Sequence, residues 1–137
     1  KIFTQSDLKI DTEDTAYITL GFSGINKKND IIASLNMDFI RHDSTRYCKV
    51  IGQLGTLYWN AIDGSIKLFE KDALQWRTIY EKKNHRDKTY ISELKHFIDC
   101  IENNKKPLVD GKDGLKVIKI IEAIQKSSNN SSLVSLS

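Results

Sequence analysis

Residues 15–81 alternate apolar and polar side chains with a period of two, whereas residues 90–126 repeat theirs about every 3.6 residues. This switch of period limits the fold more than any other feature. The first stretch must form strands and the second must form helices. Ala16, Ile18, Leu20 and Phe22 alternate with Thr15, Tyr17, Thr19 and Gly21. Beyond a polar turn at Ser23–Asp30, Ala33, Leu35, Met37 and Phe39 alternate with Ser34, Asn36 and Asp38. Four shorter strands are predicted at 46–51, 55–59, 65–70 and 76–81, linked by Gly52–Gly55 and Asp63-Gly64. Glycine in such turns supplies positive φ. Strands this close in sequence pair as antiparallel neighbours.

In the last third, Tyr90, Ile91, Leu94, Phe97, Ile98 and Ile101 form one apolar stripe, with Glu93, Lys95, His96, Asp99 and Glu102 outside it. This helix stops before Asn103-Asn104 and Pro107. A second begins near Asp110 or Asp113, either of which can cap it. Its Leu115, Val117, Ile118, Ile120, Ile121, Ala123 and Ile124 leave only a narrow stripe of lysines, so it is expected to lie deeper than the first. A short run, Leu133–Leu136, reads as a last strand. The predicted class is α+β: a mainly antiparallel open sheet of about six or more strands, with two C-terminal helices on one face. The other face carries Tyr17, Thr19, Ser34, Asn36 and Asp38, a mixture that suits water or contact with another subunit.

The 137 residues make one domain, 39% hydrophobic and 28% charged, which excludes a disordered chain or a disulfide scaffold. Because the first residue is Lys1, the chain is expected to be cut from something longer. No apolar run approaches the roughly 18–20 residues of a membrane span, so no membrane partner is expected. The formal charge is only +3, and seventeen of the 21 basic residues are Lys. Scattered lysines with few guanidinium groups argue against nucleic acid. Cys48 and Cys100 are far apart, with no metal-ligand spacing and no CxxC. They are expected to be free, packed thiols in a reducing cytoplasm. No metal site is expected.

No nucleophile–base arrangement can be assembled, so no residue is assigned a catalytic role. Gly52-Gln53-Leu54-Gly55 is not a phosphate loop, because a strand follows it where a dinucleotide site needs a helix. Arg41-His42-Asp43-Ser44-Thr45-Arg46 is the most polar cluster between two good strands. Its Arg41, His42 and Arg46 can grip an anionic or hydroxyl-rich ligand, although spacing alone favours a solvated hairpin tip. Lys82-Lys83-Asn84-His85-Arg86-Asp87 precedes the first helix and reads equally as a loop with Asp87 as cap. His96 reads as solvated. Of the acids Asp11, Glu13 and Asp14, ordering the start of a strand is a better account than metal binding.

From end to end the chain carries a specific order of pieces. Ile10–Ala16, Leu35–Arg41, Val50–Trp59, Tyr90–Ile101, then Pro107, Asp110, Gly114-Leu115, Ala123 and Ser127-Ser128 follow one another from about Leu8 to Leu136. Together they resemble the C-terminal domain of the glucose-fructose oxidoreductase / inositol dehydrogenase (Gfo/Idh/MocA) family. The resemblance implies a parent enzyme whose N-terminal Rossmann domain, absent from this chain, binds NAD or NADP. It implies a C-terminal substrate and oligomerisation domain, here residues 1–137. The loops of such a domain close over a sugar, polyol or nucleotide sugar, and its free sheet face joins subunits into a homo-oligomer. Members of the family usually rely on a Lys in a Glu-Lys-Pro motif and a downstream Asp/His pair; neither is present. Lys106-Pro107 follows a helix and is not that motif. By the same resemblance the substrate-contacting residues are Arg41, His42, Arg46, His85, Arg86 and Tyr90, with no cofactor bound by this piece. The alternative is a stand-alone α+β module that binds an anionic ligand or a protein through the same loops.

Overall fold

The computed structural model describes residues 1–4, 6–23, 30–83 and 86–136, with Arg86 described by its backbone. Among the described residues seven strands and two helices follow in the order β1 (Ile2–Phe3), β2 (Thr15–Phe22), β3 (Ile31–Asp38), β4 (Tyr47–Gly52), β5 (Gly55–Asn60), β6 (Ser65–Glu70), β7 (Trp76–Glu81), α1 (Arg86–Glu102) and α2 (Gly111–Asn130). The α+β class and the antiparallel pairing are as expected, but the strands form two sheets, β1-β2-β3 and β4-β5-β6-β7. The chain divides into two compact units, Lys1–His42 with Leu108–Ser137, and Asp43–Pro107.

In the first unit β2 and β3 pair along their whole length, from Thr15 opposite Asp38 to Phe22 opposite Ile31. Tyr17 lies opposite Asn36 and Thr19 opposite Ser34, so the polar face predicted from alternation is formed. The start of β2 is organised by Asp14, which is 2% exposed. Its Oδ2 accepts from Ser6 N at 2.8 Å and Ser6 Oγ at 2.7 Å, and its Oδ1 accepts from Thr15 Oγ1 at 2.9 Å. The Asp14 backbone donates to Phe3 O and accepts from Phe39 N. One acidic residue thus joins the chain before β2 to the ends of all three strands, which is the ordering role expected of that stretch.

Asp110 is the cap of α2. Its side chain accepts from Lys112 N and Asp113 N, while the Asp113 carboxylate accepts from Asp110 N, closing a capping box. Only the carboxy-terminal half of α2 turns inward, through Ala123 and Ser128. Ser128 Oγ accepts from Ile2 N at 3.2 Å, tying the helix to β1. Leu115, Val117 and Ile118 remain exposed, so α2 is less deeply set than its composition suggests. Ser131 ends the helix in the left-handed conformation (φ 50°). Ser127 O then accepts from Ser132 N, and Ser127 Oγ donates to Ser132 O at 2.6 Å. These bonds wrap the chain off the helix end, and Leu133–Leu136 forms no strand, contrary to the sequence expectation.

In the second unit β4 to β7 form a meander with a bulge in the β6–β7 pair at Ile66/Lys67. The β4–β5 hairpin is present, but neither Gly52 nor Gly55 has positive φ. Gly55 is needed for another reason: a Cβ there would land on the Phe69 carbonyl oxygen of the neighbouring strand. The β5–β6 turn does use positive φ, at Gly64 (70°). Helix α1 starts at Arg86, so Asp87 lies in its first turn, where a negative charge suits the helix dipole, rather than at the cap. Its apolar stripe is open, with Phe97 59% and Ile101 65% exposed. Cys100 is buried, its Sγ 3.6 Å from His96 Nε2, so His96 is not simply solvated. Cys48 is exposed rather than packed. Among the described residues no helix is long and apolar enough to cross a membrane.

Candidate functional site

The polar stretch between β3 and β4 is divided by the boundary between the two units. On the first side, Asp38 at the end of β3 accepts from Arg41 N at 2.9 Å, and its Oδ2 lies 3.6 Å from Arg41 Nε. The Arg41 charge is therefore already met in part by a carboxylate. His42 is exposed. On the second side, Arg46 lines a cavity of about 240 Å³ together with Ser44, Thr45, Tyr47, Tyr58, Asn60, Ile62 and Asp63. That volume lies below the roughly 300–1,000 Å³ of typical small-molecule sites, so it is sized for one ring or one charged group.

The walls of this cavity are fixed by local chemistry. Asn60 Oδ1 accepts from Ile62 N at 2.9 Å and Asp63 N at 3.3 Å, an Asx turn that sets the β5–β6 connection. Asn60 Nδ2 donates to Asp63 Oδ2 at 2.7 Å. Arg46 O accepts from Ala61 N at 2.9 Å, which holds Arg46 beside that turn. Thr45 Oγ1 donates to Asp43 Oδ2 at 2.9 Å. Tyr47 and Tyr58 close the opposite wall, with ring centroids 5.6 Å apart. The result is a guanidinium, hydroxyl groups and a carboxylate around two aromatic rings, which matches the donors, acceptors and apolar ring edges of a polyhydroxylated ligand.

The six residues expected at the site fare differently. Arg46 faces the cavity. Arg41 and His42 lie in the first unit, whereas Arg46 and Tyr90 belong to the second. Tyr90 is an exposed residue of α1, in the helix where its apolar spacing placed it. His85 lies outside the described residues, and of Arg86 only its position as the first residue of α1 is described. Tyr47, Tyr58, Asn60 and Asp63 were missed from the sequence. Asp63-Gly64 flagged the turn, but only the β4–β5 register brings Tyr47 opposite Asn60 and so builds the wall.

Two of the glycine-bearing segments among the described residues differ from the strand–turn–helix form of a dinucleotide loop. Gly52 and Gly55 join two strands. Gly111 and Gly114 do open a helix, but its first N–H groups are already taken by the Asp110 carboxylate, which a phosphate would meet with like charge. Lys105 donates to Asp99 and holds its carboxyl below the ordinary value, and Lys116 does the same for Asp113. Among the described residues no group of three or more His, Cys, Asp or Glu side chains is arranged to hold a metal ion.

A family model described as the oxidoreductase family, C-terminal alpha/beta domain, matches residues 3–136. No curated protein and no solved structure matches the chain. The match runs from β1 past the end of α2, through both sheets and the Arg46 cavity. The chain therefore belongs to the Gfo/Idh/MocA oxidoreductase family, as its C-terminal α/β domain.

Proposed function

We propose that this domain supplies the substrate contacts and the subunit contact of an NAD- or NADP-dependent oxidoreductase that acts on a sugar, polyol or nucleotide sugar. The observation that carries the reading is the Arg46 cavity, found in a chain that the family model matches almost throughout. Arg46 pairs with an anionic group of the substrate through its planar fork, and the Asn60–Asp63 pair accepts and donates to hydroxyls. Arg41, His42, His85, Arg86 and Tyr90 are further candidate contacts on the family resemblance alone. The nicotinamide is held by a separate Rossmann domain of the parent protein, and it supplies the hydride acceptor or donor. The residues of this chain bind and orient the sugar. The face of the three-stranded sheet that carries Tyr17, Thr19, Ser34 and Asn36 joins two copies. Its mixture of hydroxyl, amide and aromatic groups is that of a subunit contact.

The test is a panel of sugars, sugar acids and nucleotide sugars, offered to the full-length protein with each nicotinamide and followed by absorbance of the reduced form. Turnover of at least one sugar is expected, whereas residues 3–136 alone show no NADH binding by calorimetry. Tight NADH binding by residues 3–136, or a full-length protein inert toward the whole panel, overturns the reading.

A further inference from the structure

We draw no further inference here: the strongest candidate, the His96–Cys100 side-chain pair on α1, whose buried Sγ lies 3.6 Å from Nε2, carries nothing, because it is one thiol with a neighbour a helical turn away and no third His, Cys, Asp or Glu among the described residues joins it to hold a metal ion.

Discussion

Replacing Asp14 by alanine removes the acceptor for three hydrogen bonds in the first unit: Ser6 N, Ser6 Oγ and Thr15 Oγ1, at 2.7–2.9 Å. Each bond to an ionised acceptor contributes about 1.5–3 kcal/mol net, but three bonds on one side chain do not add. The site is almost fully buried, so water cannot replace the carboxylate without opening the chain before β2. We expect Asp14→Ala to cost about 3–4 kcal/mol, a large fraction of a domain's stability. Asparagine separates charge from geometry. With its amide nitrogen turned toward Thr15 Oγ1, which can accept, its oxygen still receives both Ser6 donors. Only the charge assistance is lost, and Asp14→Asn should cost about 1–2 kcal/mol. Urea unfolding followed by far-ultraviolet circular dichroism measures both. Hydrogen exchange at the amides of Ser6 and Phe39 locates the effect at the start of β2 and the end of β3. A loss under about 0.5 kcal/mol for alanine would mean the carboxylate is not the tie described here. Equal losses for alanine and asparagine would mean that the charge carries the whole effect, and no loss for asparagine that it contributes nothing.

Gly55→Ala should destabilise by about 1–3 kcal/mol and speed amide exchange along β5 and β6, because its Cβ meets the Phe69 carbonyl, a backbone atom that cannot yield alone. Gly52→Ala, whose Cβ would stand 3.7 Å from its nearest neighbour, should be nearly neutral in the same unfolding experiment. Asp110→Ala should cost about 0.5–2 kcal/mol through loss of the capping box, read as a lower unfolding midpoint and faster exchange in the first turn of α2. Asp113 has its carboxyl held below the ordinary 3.8 by the Lys116 hydrogen bond. A lowered folded value gives stabilisation that is present above the unfolded value and lost as pH falls through the folded one. A carbon-detected titration should place the Asp113 midpoint below 3.8 and return it toward that value in Lys116→Met. An unchanged midpoint in the variant would remove Lys116 as the cause.

Alternation located β2 and β3 closely because a period of two over eight residues leaves little freedom. The same signal says nothing about which strands pair, so the division into two sheets was not legible. β1 is two residues long and carries no period; it exists because Ile2 and Phe3 find Ala16 and Thr15. Leu133–Leu136 has strand composition but forms no strand where the Ser127–Ser132 bonds turn the chain off the helix end. Gly55 was rightly read as part of a hairpin and wrongly explained, because the close approach of Phe69 is a cross-strand fact. The candidate site shows the same limit. Arg46 stood out among polar neighbours, while Tyr47 and Tyr58 looked like ordinary strand residues until the β4–β5 register set them on one wall.

We propose Arg46 as a sugar contact, with the nicotinamide bound outside this domain. Steady-state kinetics of the full-length protein with Arg46→Ala test this most directly, with sugar and nicotinamide varied in turn. A rise in KM for an acidic sugar of about tenfold or more, at unchanged KM for the nicotinamide, is the predicted result. An unchanged KM for the sugar, or a loss that falls on the nicotinamide instead, would contradict it.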